Sequence, residues 1–174
     1  MKPIFTFSFI LLVVISSCNK EKKVEESLEL VTSTYYFIRH AEKDRNDPSD
    51  KNPHLTETGK TRAVHWSEIF DNVKFDAVYS TDYNRTKETA QPTASKNNVE
   101  ITLYDPNQID ASSFLADTKG KTVLVVGHSN TTPKFVNNVL GIQKYGDIDD
   151  SNNGNLYIVT ITGSTITDQL LTIN

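Results

Sequence analysis

Thr34-Tyr35-Tyr36-Phe37-Ile38-Arg39, followed by His40, is the stretch that decides the fold. Its aromatic and β-branched residues read as a buried strand, and it stops abruptly on two polar side chains. Working outward, Asp76 to Ser80, Val99 to Tyr104, Thr122 to Gly127 and Asn155 to Thr162 read in the same way. A last strand, about Thr165 to Leu171, pairs with its predecessor through a turn at Gly163-Ser164. Helical signals lie between the strands. Thr56 to Phe70 carries Ala63, Trp66 and Phe70 at helical spacing behind a Thr56 cap. Asp82 to Ala94 reads as a helix capped by Thr81 or Asp82, with Pro92 expected to end or kink it. Thr131 to Leu140 tolerates Pro133 in its first turn and stops at Gly141. Alternating strands and helices predict an α/β fold, a three-layer α/β/α sandwich with a mostly parallel central sheet. Asp44 to Pro53 and Asp147 to Asn153 read as surface loops, and no internal repeat is present.

Upstream of this domain the chain changes character. Met1-Lys2 gives a positive start, Ile4 to Ile15 is almost wholly apolar, and Ile15-Ser16-Ser17 leads into Cys18. This is the pattern of an export signal, and the apolar run is short for a bilayer span, which needs about 20 residues. Ile15-Ser16-Ser17-Cys18 resembles the bacterial lipobox, which implies lipidation of Cys18, the sole cysteine of the chain. Residues 1–17 are therefore expected to be a lipoprotein signal peptide and 18–32 a solvated tether rich in Lys, Glu and Ser. The domain proper spans 33–174. Removing Lys2 with the signal leaves 17 basic and 22 acidic side chains, a net charge of −5. That balance excludes a general nucleic-acid binder but permits one local basic pocket. The expected localisation is the cell envelope, through a lipid anchor only, with Asn19 after Cys18 leaning towards the outer membrane.

Four segments stand where α/β sheets build sites, just beyond strand ends. They are Arg39-His40-Ala41-Glu42, Tyr79 to Thr86 with Arg85, Leu103-Tyr104-Asp105, and Val126 to Thr131 with His128. Converging on one sheet edge, they bring together two arginines, two histidines and a carboxylate. Such a set suits phosphoryl transfer, where stabilising charge on the outer oxygens dominates. Arg39 and Arg85 offer planar forks matched to phosphate. Helix starts near Arg85 and Thr131 add free N–H groups and dipole. One imidazole can attack phosphorus, a second can donate to its oxygens, and a carboxylic acid can protonate the leaving oxygen.

Taken in order, Arg39-His40, Leu55-Thr56-Glu57-Thr58-Gly59, Tyr79-Ser80-Thr81 with Arg85 and Thr89-Ala90, and Gly127-His128-Ser129 resemble the histidine phosphatase superfamily. The resemblance covers nearly all of Tyr35 to Leu140 and implies a phosphoglycerate mutase-like fold. It implies His40 as nucleophile, Arg39 and Arg85 with His128 as phosphate ligands, and Asp105 as proton donor. Asp110 competes for that last role. Two departures stand out: Ala41 where the family often has Gly, and Asp105 where it often has Glu.

The expected activity is a metal-independent phosphomonoesterase on small phosphorylated substrates, with no cofactor. The rivals are a phosphate-binding lipoprotein without turnover, a mutase-type phosphotransferase, and a phosphohistidine-protein phosphatase, against which the export signal counts. His54 and His65 lack the ligand spacing of a metal site. Lys43 and Arg45 are candidates for attracting an anion, Trp66 reads as core, and the loops Asp44 to His54 and Asp105 to Phe114 are placed to set specificity.

Overall fold

The computed structural model describes residues 30–173, so the expected signal peptide, Cys18 and most of the tether lie outside the described residues. The elements run β1 (Thr32–Arg39), α1 (Glu57–Ile69), β2 (Ala77–Thr81), α2 (Asn84–Asn97), β3 (Ile101–Tyr104), α3 (Ala111–Asp117), β4 (Thr122–Gly127), α4 (Thr131–Leu140), β5 (Asn155–Thr162) and β6 (Thr165–Thr172). Six strands form one sheet in the order β3-β2-β4-β1-β5-β6. The β3, β2, β4 and β1 strands are parallel to their neighbours, while β5 and β6 form an antiparallel hairpin at one edge.

Alternation along the central strands assigns the two faces, because successive strand side chains point opposite ways. Tyr35 and Phe37 of β1, with Val123 and Val125 of β4, pack against Phe135, Val136 and Val139 of α4 and Phe114 of α3. Ile38, Val78, Leu124 and Val126 face the other way, onto Trp66 and Phe70 of α1 and Ala90 and Ala94 of α2. The result is the expected three-layer sandwich. Trp66 is fully buried and stacks on Phe70 at 5.7 Å, so it is core, as its helical spacing suggests.

Three local features differ from the sequence reading. Pro92 lies inside α2, which continues to Asn97 before Asn98 closes it in the left-handed conformation. Proline removes one helical N–H, but burial of Thr89, Ala90, Thr93 and Ala94 on the sheet face holds the helix through that loss. Its N-cap is Tyr83, whose side chain makes no capping bond, rather than Thr81 or Asp82. The short helix α3 occupies part of a stretch read as loop. Asp110 starts it by accepting from the Ser112 backbone at 2.9 Å.

The register sets the functional edge. Arg39 is level with Gly127, Ser80 with Val126, and Thr81 with Tyr104. His40, Asp82, Asp105 and His128 therefore all follow strand C-termini along one edge. Leu30 and Val31 enter at the opposite edge, against the turns at Gly163 and Gly120. Among the described residues no helix is long and apolar enough to cross a membrane.

Candidate active site

A polar cavity of about 320 Å³ opens at the functional edge, lined by Arg39, His40, Lys43, Arg85 and His128 among others. Four of the five site residues expected from the sequence are thus together. The segment after β1 is fixed by backbone: His40 N–H donates to Gly127 O at 2.9 Å, and Ala41 N–H to Thr89 Oγ1 at 2.9 Å. Ala41 is fully buried, so its methyl group is accommodated. Gly59, from the Leu55 to Gly59 segment, has a steric role. A Cβ there would sit 2.2 Å from Glu42 O, so only glycine lets α1 pack onto the loop that follows the nucleophile candidate. At Gly127 a Cβ would meet side-chain oxygens instead of backbone, Thr132 Oγ1 at 2.7 Å and Tyr104 Oη at 2.9 Å.

His40 is 3% exposed, with Nδ1 2.7 Å from Ala41 O. A carbonyl can only accept, so Nδ1 carries the proton and Nε2 keeps its lone pair. Burial, followed by the charges of Arg39, His128 and Arg85, pushes its pKa down to about 3. His40 is therefore neutral at ordinary pH and able to act as a nucleophile. The His128 ring stands 5.5 Å from it, edge to face. Burial and then Arg85 push the His128 pKa down to about 4. Thr81 donates to Thr86 Oγ1 at 2.9 Å and so accepts from His128 Nε2–H, also at 2.9 Å.

The two guanidinium groups are held differently. Arg39 is 2% exposed; its Nη1 donates to the carbonyls of Asp149, Asp150 and Asn152, and its Nη2 to Asp150 Oδ1 at 2.6 Å. Arg85 stands over the Tyr83 ring at 4.4 Å. Arg39 Nε, Arg85 Nε and Arg85 Nη1 are buried without a protein acceptor. Buried N–H groups nearly always have partners, and an anion in the cavity that both arginines line would supply acceptors to this pair. The start of α4, at Ser129 to Thr131, lines the same cavity and adds its dipole.

The fifth residue is placed elsewhere. Asp105 is exposed, and its carboxylate accepts from Asn107 N at 2.8 Å and Gln108 Nε2 at 2.9 Å. It closes its own turn and lines the hollow adjoining the cavity of His40 rather than that cavity itself. Asp110 is occupied in capping α3. Several contributors went unrecognised in the sequence. Asp150 bridges Arg39 and Arg45, Asn153 Nδ2 donates to His40 O at 2.8 Å, and Tyr83 meets His128 edge-on at 5.0 Å. Asp150 and Asn153 lie in a polar loop with no pattern to distinguish them; Tyr83, two residues before Arg85, was the one open to inference. Arg45 acts here by pairing with Asp150. His54 pairs with Glu88 and His65 with Glu68 on the surface. Among the described residues no group of three or more His, Cys, Asp or Glu could hold a metal ion.

Residues 35–106 match the model of the histidine phosphatase superfamily (branch 1), a span that includes Arg39, His40 and Arg85. Among curated proteins nothing matches the chain. Solved structures share the fold. A mutant phosphoserine phosphatase from Entamoeba histolytica, in complex with phosphoserine, is 13% identical with a TM-score of 0.60, over 79% of this chain and 95% of that one. YhfR from Bacillus stearothermophilus is 17% identical with a TM-score of 0.61, over 78% and 94%. SixA from Agrobacterium tumefaciens, a candidate phosphohistidine phosphatase, is 17% identical with a TM-score of 0.59, over 80% and 98%.

Proposed function

We propose, on the premise that this chain is a member of the histidine phosphatase superfamily, that it hydrolyses small phosphomonoesters without a metal through phosphohistidine at His40. The observation that carries the reading is one cavity lined by a buried, neutral imidazole with a free Nε2 and by two arginines, each of which keeps guanidinium N–H donors without a protein acceptor. The family match of residues 35–106 supports the same reading.

The phosphoryl oxygens lie on Arg39, Arg85 and the start of α4, which places phosphorus beside His40. His40 Nε2 attacks in line, and the P–O bond to the alcohol breaks with its electron pair leaving on the ester oxygen. The imidazolium formed keeps its Nδ1–H on Ala41 O. A dianion between the rings favours a second proton on His128, whose Nδ1–H then donates to an equatorial oxygen. Water next attacks phosphorus, the P–N bond breaks back onto Nε2, and inorganic phosphate departs. With Asp105 in the adjoining hollow and not in the cavity of His40, the departing oxygen takes its proton from water or from Asp105 through water, which favours alcohols that leave easily. The same placement favours one second reading, a phosphohistidine substrate, whose leaving imidazole can be protonated on its own far nitrogen. Export and lipid attachment at Cys18 belong to the proposal too, supported by Ile15-Ser16-Ser17-Cys18.

The test is hydrolysis of p-nitrophenyl phosphate by the wild type and by a folded His40→Ala variant, with rapid acid-free quenching to trap phosphorylated His40. Turnover and a labelled His40 in the wild type alone are expected. Full activity in His40→Ala sinks the mechanism, and tight phosphate binding with neither product nor intermediate identifies a binding protein instead.

A further inference from the structure

Resting on that reading, we infer that the substrate is a phosphomonoester whose alcohol has a flat apolar body and a cationic or hydrogen-bond-donating group. Beside the phosphate cavity lies a second, more open hollow of about 420 Å³. The two adjoin along Tyr83, Pro106 and Asn107, which line both. The second hollow contains neither His40 nor either clamp arginine. A group leaving phosphorus away from His40 and past Tyr83 therefore enters it.

Its chemistry contrasts with that of the phosphate cavity. Leu103, 50% exposed at the end of edge strand β3, forms an apolar wall with Tyr104 and Pro106. Tyr83 lines both hollows, with Arg85 4.4 Å over its ring and His128 5.0 Å from it, edge-on. The charged groups of the lining are two carboxylates, Asp82 and Asp105. Lys87 neutralises part of Asp82 at 2.6 Å from outside the lining, and Asp105 retains acceptor capacity beyond its two turn bonds. A second anionic group on the substrate would leave the cationic cavity to face these carboxylates, whereas an ammonium group would meet partners. Aromatic faces and apolar walls favour a ring-sized body. Aryl or amine-bearing phosphates fit this hollow, and phosphorylated acids or bisphosphates do not.

The experiment compares 4-(2-aminoethyl)phenyl phosphate with 3-(4-phosphonooxyphenyl)propanoate at neutral pH and low salt, with p-nitrophenyl phosphate as reference. Both test compounds are aryl esters with similar leaving groups, so any effect of proton donation cancels in their ratio. The expected preference in kcat/KM for the amine is about tenfold or more, and it shrinks with added salt. In an Asp82→Asn, Asp105→Asn double variant the ratio should fall to within about threefold. Equal rates, a preference for the carboxylate, or a ratio untouched by the double variant overturns the inference while leaving the phosphatase reading intact. Failure to turn over any of the three esters, with no phosphorylated His40, refutes the phosphatase reading and this inference together.

Discussion

Replacing His40 by Asn tests whether its imidazole is held neutral by the fold. In the unfolded chain this histidine titrates at its ordinary 6.5, whereas in the folded protein it titrates at about 3. Below 6.5 the unfolded state binds a proton that the folded state refuses, so stability falls as pH falls, until the folded pKa is reached. Each pH unit in that window costs about 1.4 kcal/mol per group. Between pH 7 and pH 5 the curvature near 6.5 reduces the total to about 2 kcal/mol for His40. The Asn variant keeps an N–H able to reach Ala41 O and loses the titration. Urea unfolding, followed by the fluorescence of the single, buried Trp66, measures both proteins at each pH. All other titrating groups are shared, so the wild type should lose about 2 kcal/mol more than the variant between the two pH values. An equal pH dependence in the two proteins would refute the claim that His40 is buried and neutral, and with it the readiness of Nε2 to attack. If the claim holds, His40 itself does not impose an acid limb on kcat/KM above about pH 4.

Removing the charge of Asp150 with Asp150→Asn should tighten competitive inhibition by inorganic phosphate roughly threefold to tenfold, since Arg39 keeps its three carbonyl partners while a neighbouring anion disappears. Weaker phosphate binding would show instead that the carboxylate is needed to aim Arg39. Arg85→Gln should lower kcat/KM for p-nitrophenyl phosphate by about a hundredfold or more, because two of the three unpartnered guanidinium nitrogens belong to it; a change of less than about threefold contradicts its place in the clamp. Gly59→Ala forces a methyl group into Glu42 O, and a loss of at least about 2 kcal/mol is expected in thermal or urea unfolding.

The sequence was most readable where chemistry and periodicity coincide. The strands ending at Arg39 and Gly127 were located by their apolar runs, and their parallel pairing puts His40 and His128 side by side as their positions required. Thr56 and Gly59 were visible as a motif, but the reason for the glycine, contact with Glu42 O, exists only in three dimensions. Asp105 shows the opposite case. Asp before Pro106 carries the signal of a turn as well as that of an acid, and the structure shows the turn bonds to Asn107 and Gln108. Asp150 and Asn153 were unreadable for another reason. Their loop has no period, and only the antiparallel return through β5 brings it to Arg39 and His40. The α3 helix is short and without a buried residue of its own, so no apolar stripe announced it.

The entry of the chain at Leu30 and Val31 has a mechanical consequence. Whatever precedes these residues joins the domain at the foot of β1, and the pocket lies at the head of the same eight-residue strand. That strand is hydrogen-bonded to β4 on one side and β5 on the other. A pull from the N-terminal side is therefore taken up as shear by two ladders at once, and little of it reaches His40. Any attachment at that end would meet the domain at the edge of the sheet opposite the mouth of the pocket.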